Sequence, residues 1–158
     1  MRRGLIDGSG PVRPIKRSPC LRQYALCRAS GVPLESPKLK GRAVLIVEDE
    51  PLIAMDIADA FKKAGAKITM TTTLKQAMIL VEHDGPAVAI LDYALNDGDS
   101  SALCVRLKER DIPFVIYSGF AQIGGIAAEA PLVKKPARAD VLIRTVEALL
   151  PDPPPDNT

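Results

Sequence analysis

Short aliphatic runs recur through the middle of the chain, each followed by a segment of different period, and this alternation limits the fold more than any other feature. The runs are Ala43–Val47, Lys67–Thr71, Ala87–Leu91, Pro113–Tyr117 and Leu132–Val133. Between and after them, apolar residues return at helical spacing. Leu52–Ala64 carries Ala54, Ile57, Ala58 and Phe61, and Leu74–Glu82 carries Leu74, Ala77, Met78 and Val81. Ser100–Arg110 carries Leu103 and Leu107, and Ala137–Leu149 carries Val141, Leu142, Thr145, Val146 and Leu149. Strand followed by helix, repeated, implies a parallel sheet, and strands that are apolar without alternation imply helices on both faces. Gly65 and Gly85 stand where the first two helices should stop. The expected architecture is α/β: a doubly wound five-stranded parallel sheet with helical crossovers, the fourth of them abbreviated because Gly119, Gly124 and Gly125 interrupt it.

The residues that follow each run are not apolar. Val47 is followed by Glu48, Asp49 and Glu50, Leu91 by Asp92, Tyr117 by Ser118, and Val133 by Lys134 and Lys135. Singly, these read as a solvated turn, a loop start or a surface charge pair. Parallel strands, however, bring all their carboxyl ends to one edge of the sheet, where open α/β folds hold ligands. Clustered acids repel one another and are best explained by a hard cation, and Mg²⁺ is the expected one. A cation beside a lysine and a hydroxyl is equipment for holding a phosphoryl group, whose transfer needs positioning and charge neutralisation. Asp92, ionised at neutral pH, can then serve as the nucleophile.

Composition narrows the alternatives. A chain of 158 residues, 47% apolar and 25% charged, is sized for one domain with a core. Its apolar runs are too short to span a bilayer, and Met1-Arg-Arg-Gly-Leu-Ile-Asp-Gly has no apolar block suited to a signal peptide, so a cytoplasmic location is expected. Cys20, Cys27 and Cys104 form no C-x-x-C pair, and His83 is the single histidine, so neither a disulfide framework nor a zinc site is suggested. His83 reads as a surface residue at a helix end. Residues 1–40 hold nine Lys/Arg against two acids, whereas residues 41–158 hold twelve against seventeen. That shift divides the chain into a basic, proline-bearing arm at 1–40, a domain at 41–150 and a proline-rich tail at 151–158, with both ends expected to be disordered. The arm could serve a nucleic-acid or protein adaptor, but it has little aromatic interleaving and no DNA-binding motif follows it, which argues against DNA.

Four motifs together resemble the receiver domain of two-component response regulators. "VLIVEDEPLIA" resembles its acidic-pair strand and first helix, "AILDYAL" its phosphoacceptor strand, "PFVIYSG" its hydroxyl strand and "VKKP" its lysine-proline turn. The resemblance covers roughly residues 42–149 and implies a flavodoxin-like sheet of order 2-1-3-4-5. It also implies that Glu48 and Asp49 bind Mg²⁺ together with Asp92 and the backbone carbonyl of Ala94. Asp92 would be phosphorylated, Ser118 would hydrogen-bond a phosphate oxygen, and Lys135, before a cis Pro136, would pair with the phosphate. The protein would catalyse only its own phosphorylation and dephosphorylation. Its implied partners are a sensor histidine kinase or histidine phosphotransfer protein and a downstream protein, with the chain a monomer or weak dimer. With only the proline-rich tail after Leu150, no effector domain is expected, and output is expected through a partner, through the arm or as a phosphate sink.

Two departures from that family stand out. Leu132 replaces the usual aromatic on the fifth strand, and only sixteen residues separate Ser118 from Lys135. Ser118-Gly119-Phe120 resembles a receiver subgroup with Thr/Ser-Gly-aromatic after the fourth strand. An aspartate-nucleophile phosphatase of the dehalogenase type is disfavoured because Ala94 stands where that chemistry needs a second carboxylate. The absence of any G-x-x-x-x-G-K-[ST] excludes a P-loop enzyme.

Overall fold

Continuous aliphatic strands can be buried only if both of their faces are covered, and the arrangement of the chain meets that demand. The structure, a computed structural model, describes residues 35–120 and 123–154. Five parallel strands, β1 (Ala43–Val47), β2 (Lys67–Thr71), β3 (Val88–Leu91), β4 (Phe114–Ser118) and β5 (Leu132–Lys134), form one sheet of order β2-β1-β3-β4-β5. Four helices connect and cover them: α1 (Pro51–Lys63), α2 (Leu74–His83), α3 (Ser101–Glu109) and α4 (Ala139–Leu149). Among the described residues the fourth crossover contains a 3₁₀ turn at Gly125–Glu129 and no α-helix, as the glycines there led one to expect. A small antiparallel pair, Ala94–Leu95 with Gly98–Asp99, lies in the loop after β3.

The two-residue period of the strands divides their side chains between two cores. Val44, Ile46, Val88, Ile90, Val115 and Tyr117 pack with Phe61 of α1 and Leu142 and Val146 of α4. Their sequence neighbours Leu45, Val47, Ala89, Leu91, Phe114 and Ile116 pack with Ala77 and Val81 of α2 and Leu103 and Leu107 of α3. The edge strand β2 departs from this pattern: only Thr71 is buried and Met70 is exposed, because an edge strand is incompletely covered.

The domain boundary read at Gly41 lies too late. Leu39 is fully buried in the core beside α1 and α4. The Ser36 amide donates to the Ala64 carbonyl (3.0 Å) and the Gly41 amide to that of Gly65 (2.8 Å), which straps residues 36–41 across the end of α1. Gly65 has φ of +97°, and a Cβ there would lie 3.3 Å from the Lys40 Cα, so both conformation and close approach require glycine. The strap also reaches α4, since the Ser36 hydroxyl donates to the Glu147 carboxylate and the Lys38 ammonium to the carbonyls of Glu147 and Leu150, each at 3.3 Å. The charge asymmetry misplaced this boundary because Lys38 and Lys40 are basic yet belong to the packed segment. The rest of the arm, Cys20 and Cys27 included, and the last four residues lie outside the described residues. No described helix is long and apolar enough to cross a membrane.

Cys104 sits in the core on α3, and burial pushes its thiol up to about 11, past the partial relief from the Ser100 side chain. Thiolate is the nucleophile, so Cys104 in the native chain at pH 8 should react with iodoacetamide orders of magnitude more slowly than a free thiol. Mass mapping of the peptide containing Cys104 checks this: labelling should appear only in denaturant, and rapid native labelling would contradict the burial.

Candidate functional site

The parallel ladder runs one residue beyond the strands and fixes the backbone of the polar residues at their ends. The Glu48 amide donates to Thr71 (3.1 Å), the Asp92 amide to Val47 (2.9 Å) and the Lys135 amide to Ser118 (2.9 Å). Because Val47 pairs with Leu91 in the sheet, Glu48 and Asp92 leave adjacent strands at the same level. Oxygens of Glu48, Asp49 and Asp92 all lie within 4.8 Å of one another, with Glu48 and Asp92 buried and Asp49 half-buried. Lys135 closes the group: its ammonium donates to Glu48 Oε2 at 2.6 Å and to Asp92 Oδ2 at 2.7 Å. The Lys135–Pro136 bond is cis.

Backbone amides orient the acids. Glu50 N donates to Glu48 Oε1 (3.2 Å), Ala94 N to Asp92 Oδ1 (3.4 Å) and Asn96 N to Asp49 Oδ2 (2.9 Å). Asp97 Oδ2 accepts from the first amide of α2, Leu74 N (2.9 Å), so the loop after Asp92 is tied to a neighbouring helix. Ser118 is fully buried at the end of β4, where its hydroxyl accepts from Phe120 N at 3.2 Å. The structure thus gathers Glu48, Asp49, Asp92 and Lys135 in one place. Ala94 reaches Asp92 through its amide, while Ser118 bonds within its own loop. Lys134 is exposed, and His83 is exposed at the end of α2.

Burial raises the Glu48 carboxyl above its ordinary range, against the lowering effect of Lys135 and the Glu50 amide. For Lys135, burial works to lower the ammonium, but the hydrogen bonds to Asp92 and Glu48 prevail and raise it, so it remains charged at neutral pH. Three carboxylates lie together, one ammonium contacts two of them, and their donor set is wholly oxygen. That surplus of negative charge and those hard donors fit a Mg²⁺-type cation.

Sequence reasoning missed three contributors, Tyr117, Asn96 and Asp97. Tyr117 places its ring 5.3 Å from Lys135 Nζ, and its phenol oxygen accepts from Ala137 N at 3.3 Å. The roles of the Asn96 amide and the Asp97 carboxylate depend on loop geometry that no local pattern reveals. An open cleft of about 620 Å³ lies at the opposite edge of the sheet, lined by Arg42, Phe114, Ile126, Glu129 and Leu149, and shares no residue with the acidic group.

The family model described as the response regulator receiver domain matches residues 44–147. A curated relative, the photosynthetic apparatus regulatory protein RegA of Rhodobacter capsulatus, is 28% identical over 127 residues, which cover 73% of this chain and 68% of that protein. The solution structure of SdrG from Sphingomonas melonis Fr1 is similar at a TM-score of 0.62 with 34% identity, covering 71% of this chain and 97% of that one. The receiver domain of sensor histidine kinase PA1611 from Pseudomonas aeruginosa PAO1, whose structure has a magnesium ion coordinated in the active site cleft, shares the fold at a TM-score of 0.62 and 20% identity, covering 69% of this chain and 97% of that one.

Proposed function

The chain belongs to the response regulator receiver domain family, and from that premise we propose that it accepts a phosphoryl group on Asp92 from a histidine kinase or histidine phosphotransfer protein. The observation that carries this reading is the cluster of Glu48, Asp49 and Asp92, two of which, Glu48 and Asp92, are bridged by the Lys135 ammonium. In the proposed reaction an Asp92 carboxylate oxygen attacks phosphorus, a P–O bond forms as the P–N bond of a phosphohistidine donor breaks, and the imidazole leaves with the bonding pair. Lys135 holds the acceptor and pairs with phosphoryl oxygen as charge passes from the carboxylate to the phosphate. The Ser118 hydroxyl, free to rotate, donates to another phosphoryl oxygen. Glu48, Asp49 and Asp92 would hold Mg²⁺, with the Ala94 carbonyl as the further ligand that the family resemblance implies. When bound, the ion supplies neutralisation of the charge that carboxylate and donor bring together. The phosphorylated domain signals through a downstream protein or drains phosphate from a relay.

Intact mass after incubation with acetyl phosphate and Mg²⁺ tests this reading. One acid-labile phosphoryl increment is expected, falling to background when EDTA replaces the metal. No increment under any donor and metal condition would sink the proposal, and an increment insensitive to EDTA would remove the metal from it.

A further inference from the structure

Lys135 is the cation that contacts both Glu48 and Asp92, yet its four-carbon stem is flexible and its two anionic partners lie on different strands. When the Asp92 carboxylate turns to phosphorus, Glu48 at 2.6 Å is the one acid still gripping the ammonium, and a contact from the neighbouring strand would add to that hold. Tyr117 is placed to make that contact. It belongs to β4, opposite Val133 of β5, and is buried in the core among Val133, Ala137 and Leu142. Its ring lies under the ammonium at 5.3 Å, within the range of a cation–π attraction. Its phenol oxygen receives the amide of Ala137, two residues past Lys135. One side chain therefore engages the turn Lys135-Pro136-Ala137 at both ends, while its neighbour Ser118 faces the other side of the same strand.

We infer that Tyr117 is a positioning residue for phosphoryl transfer: its ring keeps the Lys135 ammonium over the site and its phenol anchors the backbone that carries Lys135. The inference rests on the proposed phosphoacceptor role of Asp92. It also gives physical meaning to the missing aromatic on β5, where Leu132 is exposed: the aromatic of this site stands on β4 and acts on the lysine.

Two variants separate this role from simple packing. Tyr117→Phe keeps the ring and the packing volume but removes the acceptor for Ala137 N–H. Tyr117→Leu keeps an apolar side chain and removes the ring. In NMR spectra of the wild-type chain the Lys135 ε-methylene protons should carry an upfield ring-current shift, retained in Tyr117→Phe and lost in Tyr117→Leu. Ala137 amide exchange should accelerate in Tyr117→Phe. With acetyl phosphate at saturating Mg²⁺, and at a temperature where each variant is folded, the rate for Tyr117→Leu should fall about tenfold, with much of it kept by Tyr117→Phe. A rate and Lys135 shift unchanged in Tyr117→Leu would overturn the inference, as would unchanged Ala137 exchange in Tyr117→Phe for the anchoring half. If Tyr117→Leu does not fold, the Tyr117→Phe exchange and the wild-type ring-current shift still decide. A wild-type chain that takes no phosphate defeats the phosphoacceptor reading instead, and leaves the two NMR measurements as the test of Tyr117.

Discussion

Asp92→Ala is expected to lose all acid-labile phosphate while remaining folded. The three acids of the cluster differ in what their oxygens already do. Both oxygens of Glu48 are engaged at normal distances, Oε2 by Lys135 (2.6 Å) and Oε1 by Glu50 N (3.2 Å), and burial disfavours its charged form. Asp49 accepts from Asn96 N (2.9 Å) and has no ion pair with Lys135 among the described contacts. Asp92 alone combines a lysine contact on one oxygen (2.7 Å) with a long, weak contact on the other (3.4 Å), so one of its oxygens is available to attack beside a cation that can stabilise the product. Removing it deletes the nucleophile, and neither neighbour is placed to substitute.

The same substitution should not weaken the fold. It removes one of three mutually repelling carboxylates and leaves Lys135 paired with Glu48, so no buried charge is stranded. Thermal unfolding of Asp92→Ala should therefore occur at or above the wild-type temperature, which separates loss of the acceptor from loss of structure. Acid-labile phosphate persisting at wild-type level on Asp92→Ala would reassign the acceptor.

Much of this site was legible because its residues occupy positions that the fold repeats. In a parallel sheet the polar residues that follow buried strands arrive at the same edge, so Glu48, Asp92, Ser118 and the pair Lys134-Lys135 could be grouped from strand order, while the family resemblance singled out Lys135. Their contacts were not legible: that Lys135 bridges Glu48 and Asp92, or that the Asn96 amide holds Asp49, depends on side-chain reach across elements distant in sequence. Tyr117 was hidden for another reason. It lies in an apolar run and reads as core, which it is, and only the turn after β5 brings Lys135 and Ala137 against it. The two-sided burial of β1, β3 and β4 followed from their aliphatic character, whereas β2, read as one more aliphatic run, carries Lys67, Thr69 and Thr71 and is an edge strand with only Thr71 buried.

A chain beginning at Gly41 is expected to be markedly less stable than one that retains Ser36–Lys40, with Leu39 responsible for most of the difference. Leu39 is fully buried against a core that includes Phe61, Val146 and Leu150. Replacing a buried leucine by alanine costs about 2–5 kcal/mol, a transfer loss plus the cavity left behind. At an ordinary urea dependence that lowers the unfolding midpoint by about 1 M or more. Lys38 should matter far less, because its partner Asp152 is largely exposed and such pairs contribute under about 1 kcal/mol. Leu39→Ala in the full chain should thus reproduce most of the deficit of the Gly41 start, while Lys38→Ala should fall near wild type. Urea denaturation followed by circular dichroism distinguishes these cases. Equal midpoints for the full chain and the Gly41 start would show that the strap does not contribute to the core, whereas a deficit reproduced by Lys38→Ala and not by Leu39→Ala would assign its effect to charge at the end of α4.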